Sequence, residues 1–189
     1  MNLREKIIEV FYKSATSTRK IRNLLTPIGA IFYLTLLVLF IIASIKLDNF
    51  LSLPKTFSSP LNIILSLPLF GTGLWLYFWS VLHFIKAKGT PVPFSPPPKL
   101  VTIGPYAYVR NPMLTGVFIL LFALGILFQS ISLLFIFTPL FILFNVLELK
   151  TIEEPELERR LGEEYLEYKK KVPMFIPWLK MRQSGKHLK

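Results

Sequence analysis

The run Leu100 to Gly116, LVTIGPYAYVRNPMLTG, sets a Gly-Pro turn, two tyrosines, an arginine and an Asn-Pro step directly before an apolar stretch. A residue that precedes proline is biased away from helix, so Asn111 marks an entry turn and Arg110 stands at its mouth. A second run, Glu148 to Pro173, follows another apolar stretch and opens with acids: Glu148 first, then Glu153 and Glu154 a turn later. Acids at membrane depth are costly and tend to be paired or functional. Brought together, the two runs would offer basic, aromatic and acidic groups at one mouth, which is what a polar cofactor and an apolar acceptor need. Both features also have a plain structural reading. A cation at a helix mouth can snorkel to lipid phosphate, and acids at a helix start can serve the helix dipole while staying solvated.

Other chemistries lack their residues. With no cysteine, disulfides, thiolate nucleophiles and Cys-based metal sites are excluded. The two histidines, His83 and His187, are far apart in sequence, so no metal site is expected. There is no GxGxxG fingerprint, no P-loop, no GxSxG, and no acidic metal-binding cluster within the apolar stretches. The net charge is +11, but the charges flank apolar runs as at a headgroup surface, and nucleic acid is not an expected partner.

The positioning elements are membrane helices. The 189 residues suffice for one domain, and 52% of them are hydrophobic, gathered in long unbroken runs. A first span is expected from about Pro27 to Ile45, closed by Lys46 and Asp48. A second runs from about Leu61 to Ile85, with Pro68, Gly71 and Gly73 inside it and aromatics in its later half. Met113 to Leu147 is too long for one span and is interrupted at Gln129, Ser130 and Ser132. It reads as a hairpin, roughly 113–128 and 131–147, each arm short for a span; a single broken helix is the other reading. Residues 1–23 read as a short amphipathic surface helix or as a solvated basic tail, and not as a cleavable signal peptide. Gly89 to Pro98 (GTPVPFSPPP) is expected to be extended. A charged helix is expected over Pro155 to Lys171, acidic at its start and basic at its end, stopped by Pro173 and followed by an interfacial anchor, Phe175 to Trp178.

Lysine and arginine number 6 before Pro27, 2 in 46–60, 4 in 86–112 and 10 after Leu147. The positive-inside rule therefore puts both termini and the 86–112 loop in the cytoplasm, which an even number of spans satisfies. The expected fold is all-α: a polytopic helical bundle of about four spans, five if the N-terminal helix is counted. Residues 1–85 would form the N-terminal segment and two spans, and residues 86–189 the cofactor-binding catalytic region.

GPYAYVRNPM (Gly104 to Met113) and EEPELERRLGEEYLEYKKKVP (Glu153 to Pro173) resemble the two motifs of the isoprenylcysteine carboxyl methyltransferase and phospholipid methyltransferase group of membrane enzymes. The proline-rich lead-in resembles prokaryotic members, and the resemblance covers about residues 86–178. It implies S-adenosylmethionine as cofactor, S-adenosylhomocysteine as product, and a lipophilic carboxylate, amine or thiol as acceptor, met in the bilayer. Carried over by position, it implies cofactor contacts at Pro98, Lys99, Leu100, Val101, Gly104, Tyr106, Asn111, Pro112, Met113, Leu114 and Glu153. Arg110 and Glu154 would stand at the reacting centre, and Glu148 and Lys150 on the acceptor side.

The chain departs from the eukaryotic carboxyl methyltransferases at four places. Pro98 and Asn111 stand where those have His, Leu114 where they have Tyr, and Leu149, with Lys150 beside it, where they have a substrate-side Arg. These changes leave the acceptor open. A different class, the NADPH-dependent sterol-type membrane reductases, usually shows Arg-His-Pro-Asn-Tyr followed by Gly-Glu; here the run is Arg110-Asn111-Pro112-Met113-Leu114, then Gly116-Val117. A non-catalytic membrane scaffold is the third reading.

Overall fold

The computed structural model describes residues 2–55, 57–90 and 96–177. The expected extended stretch at 91–95 and the anchor residue Trp178 lie outside the described residues. Most of the described residues are helical: α1 (Leu3–Ala15), α2 (Arg19–Phe50), α3 (Leu61–Lys86), α4 (Pro112–Leu127), α5 (Thr138–Glu148), α6 (Glu154–Leu161) and α7 (Glu163–Lys171). Among the described residues three helices are long and apolar enough to cross a membrane: Lys20–Phe50, Leu61–Lys86 and Leu133–Leu161. The fourth expected span, α4, has 16 residues and is short for a crossing at 1.5 Å per residue.

The hairpin forms, with a correction to its second arm. The chain does not end a helix near Leu147 and start a separate one at Pro155. It runs helically from Leu133 to Leu161, through two wider π turns at Leu133–Phe137 and Leu149–Glu153. Each π turn lies just before a proline, Pro139 or Pro155, as expected where the ring crowds the preceding turn and a ladder bond is lost. The expected helix over 155–171 instead breaks at Gly162, whose φ of +59° favours glycine. α7 then folds back as a separate piece.

α3 and α4 form the tightest helix pair. A Cβ on Gly116 would lie 2.8 Å from the Gly73 carbonyl oxygen and 2.9 Å from the Tyr77 backbone nitrogen. Two glycines at one crossing let the backbones approach as small residues do in membrane bundles. Beside this pair sits the apolar core, Val117, Phe118, Leu121, Leu133 and Phe141, with Phe40 of α2 set edge-on to Phe137 and Phe141. α2 otherwise turns its apolar surface outward: Ile31, Phe32, Leu34 and Leu39 are all exposed, as lipid-facing residues should be.

Backbone groups at the far end are closed by polar side chains, as a lipid environment demands. The Asp48 carboxylate accepts from the Ser132 N–H at 2.9 Å and from the Ser130 hydroxyl. The Ser130 oxygen accepts in turn from the Leu133 N–H at 3.0 Å. The Asn62 amide donates to the Leu127 carbonyl at 2.9 Å, closing the end of α4. The residues that interrupt the apolar run at 129–132 are thus a capped turn.

α1 is a helix with a definite seat, not a free tail. Asn2 and Glu5 form a capping box, with the Asn2 N–H donating to Glu5 at 3.0 Å. Pro155 has no N–H to offer the Thr151 carbonyl four residues before it. That carbonyl accepts instead from Arg4 Nε at 3.0 Å. Arg159 of α6 pairs with Glu9 and lies 4.3 Å from the centre of the Tyr12 ring.

Gly116→Val should lower the thermal midpoint in detergent, reflecting an overpacking cost of about 1–3 kcal/mol. Gly71→Ala, where an added methyl meets nothing within 4 Å, should be neutral or mildly stabilising. Equal midpoints for the two variants would show that the α3–α4 approach is not tight.

Candidate active site

The Gly-Pro turn is fixed from both sides. Gly104 has φ +63°, and a Cβ there would lie 2.2 Å from Nε2 of His83, so the His83 ring packs on the bare glycine. His83 Nδ1 donates to the Trp79 carbonyl at 2.8 Å, so this histidine belongs to the end of α3. The turn continues as one 3-10 turn, Gly104–Ala107, and buries Tyr106 with its ring 5.0 Å from that of Phe84. The Tyr168 hydroxyl of α7 donates to the Tyr106 carbonyl at 2.7 Å. Burial pushes the phenols of Tyr106, Tyr165 and Tyr168 well above their usual range, so all three stay neutral at physiological pH.

Arg110 joins the two sequence motifs. Its guanidinium donates to Glu154 Oε1 at 2.7 Å and to the carbonyls of Lys169 and Val172 at 2.9 and 3.3 Å. The pair is nearly sealed from solvent, with side-chain exposures of 10% and 6%. The other Glu154 oxygen pairs with Lys169 Nζ at 2.6 Å, and the same ammonium reaches Glu158 at 2.9 Å. The hydrogen bond that Lys169 donates to Glu154 holds the lysine above its usual pKa. The sign follows: Lys169 contributes stability that is fully present below its unfolded value of about 10.4 and is lost only as pH rises through the folded one. The chain after α7 pairs with the same segment, since the N–H groups of Arg110 and Asn111 donate to the Pro173 and Met174 carbonyls at 2.8 and 3.1 Å.

Asn111 stands at the position before α4, with Pro112 in the helix's first turn, and its carbonyl accepts from the Thr115 hydroxyl at 2.9 Å. Met113 is half-buried, and Leu114 packs against the apolar core. The lead-in stretch lies over α6 and the end of α3: Arg160 pairs with the buried Glu156 at 2.7 Å and reaches toward the Pro97 carbonyl at 3.4 Å, and Pro97 sits against Gly89. Pro98 and Lys99 are exposed there, Leu100 is half-buried and Val101 is buried. Leu100, Thr102 and Ala107 face Glu164, Tyr168 and Lys171 of α7 across a cleft of about 330 Å³.

Glu148 and Glu153 bracket the second π turn, which stacks residues five apart on one face. Both are half-buried, and they lie within electrostatic range of each other. Glu153 is also in range of Tyr106, Glu154, Glu156 and Arg160. Among the described residues neither Glu148 nor Glu153 has an ion-pair partner, in contrast to Glu154, Glu156 and Glu158. Lys150 is exposed, while its neighbour Leu149 is 2% exposed.

A family model for phospholipid methyltransferases matches residues 61–164. The chain belongs to the phospholipid methyltransferase family. Searches of curated proteins and of solved structures return no significant match. Membership makes this a membrane methyltransferase, and the match spans α3 to the start of α7, so it holds Tyr106, Arg110, Glu153 and Glu154. It leaves out α1, α2 and Lys169. The seat of α1 was not anticipated from sequence; Pro155, which must orphan a carbonyl, was the available signal. The Lys169 contact was hidden in a basic run that also suits a helix dipole.

Arg110→Ala and Glu154→Ala should each destabilise the protein by about 3–5 kcal/mol, because each breaks a buried ion pair, leaving, among the described residues, Glu154 with Lys169 as its one cation or Arg110 with backbone carbonyls only. Arg110→Met combined with Glu154→Leu should be far less damaging than the sum. Thermal midpoints in detergent measure all three, and additive losses would show that the two side chains do not act as a pair.

Proposed function

We propose that this protein transfers a methyl group from S-adenosylmethionine to a lipophilic acceptor, with the cofactor entering from the cytoplasm and the acceptor from the bilayer. The observation that carries this reading is the acid pair Glu148 and Glu153, half-buried and without an ion-pair partner among the described residues. Two carboxyl groups with no cation paired to them in a partly dry site gain from a cationic ligand and offer nothing to an anionic one. S-adenosylmethionine carries a sulfonium, an ammonium and one carboxylate, and so a net positive charge. NADPH is a polyanion, which weighs against the reductase reading. Glu153 would accept hydrogen bonds from the ammonium or a ribose hydroxyl. The exposed stretch from Pro98 through Leu100 to buried Val101, together with Gly104 and the 111–114 turn, would supply backbone and apolar contacts, and Tyr106 a neutral aromatic wall.

The bound cofactor supplies the activated methyl group. The chain's own part is to hold and align the reactants and exclude water. Arg110 and Glu154 do this by positioning: their ion pair holds the segment around Tyr106 and Asn111 against α6 and α7, and Glu153 is the residue beside Glu154. Glu148 would face the acceptor, and Lys150, exposed, would meet its headgroup or neighbouring lipid. The surplus of Lys and Arg in residues 1–26, 86–112 and 148–189 supports a cytoplasmic location for both termini and for this site. In this reading residues 1–85 anchor the molecule and residues 86–189 form the catalytic region.

Calorimetric binding of S-adenosylhomocysteine to the purified protein, with NADPH run in parallel, tests the reading. The first should bind and the second should not. Glu153→Gln should weaken that binding roughly ten- to a hundredfold, as expected for losing a charged hydrogen-bond partner. Unchanged affinity would remove Glu153 from the site, and binding of NADPH alone would overturn the methyl-transfer reading.

A further inference from the structure

The second π turn is a weak joint in the long helix. The chain widens over Leu149–Glu153, and Pro155 follows almost at once. A proline removes a ladder donor and crowds the turn before it, so a helix bends or opens most readily there. Glu153 closes this turn, and Glu154, the partner of Arg110, begins α6. Whatever keeps the two sides of the joint in line therefore also keeps these two acids in place.

α1 lies across that joint, packed on both the π turn and α6. On the near side, Arg4 Nε donates to the Thr151 carbonyl at 3.0 Å, inside the turn and ahead of Pro155. On the far side, Arg159 of α6 donates to Glu9 Oε2 at 2.5 Å, and its guanidinium stands 4.3 Å from the centre of the Tyr12 ring. Lys13 holds the other Glu9 oxygen at 3.3 Å. Arg4 and Tyr12 are about two turns apart on α1, and so are their partners Thr151 and Arg159 on the long helix. The two ends of α1 thus grip the two sides of the joint in register. Residues 16–18 alone separate α1 from α2, which anchors the grip to a membrane span. The joint lies inside the region matched to the family, and α1 lies outside it.

We propose that α1 is a splint for this joint, and that Arg4 is a positioning residue that acts through the Thr151 carbonyl to fix the turn bearing Glu153. Its purpose, cofactor binding, rests on the methyl-transfer reading, but the grip itself does not. On the Arg4 side the grip is a hydrogen bond and not a charge pair, since Nε meets a neutral carbonyl. Glutamine carries an amide N–H donor on the same Cδ, so Arg4→Gln keeps the donor and drops the charge. Arg4→Leu loses both. Arg4 and Thr151 are exposed, so neither change disturbs the apolar core.

The test is amide hydrogen exchange of the full chain in phosphatidylcholine nanodiscs, read on peptides from 147–161, with calorimetric binding of S-adenosylhomocysteine to the same samples. Arg4→Leu should speed exchange there severalfold, at a thermal midpoint close to the parent's. It should weaken S-adenosylhomocysteine binding about three- to tenfold, as for the loss of one hydrogen bond. Arg4→Gln should match the parent in both readouts. Glu9→Lys should act like Arg4→Leu by repelling Arg159, and adding Arg159→Glu should recover part of the loss. Unchanged exchange in Arg4→Leu and Glu9→Lys, or an Arg4→Gln as impaired as Arg4→Leu, would overturn the splint. Faster exchange at unchanged affinity would remove Arg4 from the positioning of Glu153 and overturn the proposal as well. Faster exchange in these variants, with a parent that binds no S-adenosylhomocysteine, would keep the splint and overturn the methyl-transfer reading instead.

Discussion

The Arg110–Glu154 pair spans 44 residues of sequence and, with the carbonyls that Arg110 also takes, links the turn before α4 to α6 and α7. Its guanidinium also ends α7 by taking two of its last carbonyls, and the second carboxylate oxygen recruits Lys169. A buried pair of this kind adds little net stability compared with apolar packing, yet it strongly penalises any arrangement that separates its members. Its effect is selective: a placement of α6 and α7 that parted Arg110 from Glu154 would leave both charges without their closest partner. The turn at Gly104, the burial of Tyr106 under Phe84 and the placement of Glu153 all follow once that geometry is fixed.

Backbone satisfaction explains much of what remains. Prolines inside long helices orphan carbonyls, and lipid offers no water to take them. Near Pro155 the carbonyl of Thr151 is taken by Arg4, which draws the N-terminal helix onto the second π turn. At the opposite end Asp48, Ser130 and Asn62 close the turn between α4 and the long helix. The polar residues of this apolar protein are thus concentrated where helices start, stop or are interrupted.

The spans and the two motif segments were legible in the sequence because they rest on local signals: unbroken apolar length, the Asn111-Pro112 step, the acid-to-base order of the last helices. The continuity from Leu133 to Leu161 was not. Pro155 with acids around it is a sound helix start, and nothing local distinguishes that from a helix that widens and continues. The pairing of Arg110 with Glu154 was equally hidden, since each residue alone also fits a snorkelling or capping role. Local chemistry reads from sequence, whereas partnership across helices needs the fold.

The unbroken helix from Leu133 to Leu161 also acts as a ruler. Its 29 residues extend about 43 Å, against a hydrocarbon layer of about 30 Å. With Leu133 at one boundary, the layer ends about twenty residues on, close to Glu153. In that placement the acid would sit at the plane where lipid gives way to water, with Glu148 below it and α6 above. Bilayer thickness, and not only the side chains nearby, then sets how wet that carboxylate is. The same protein in a thicker membrane would carry its chemistry into a drier medium without any change in its own structure.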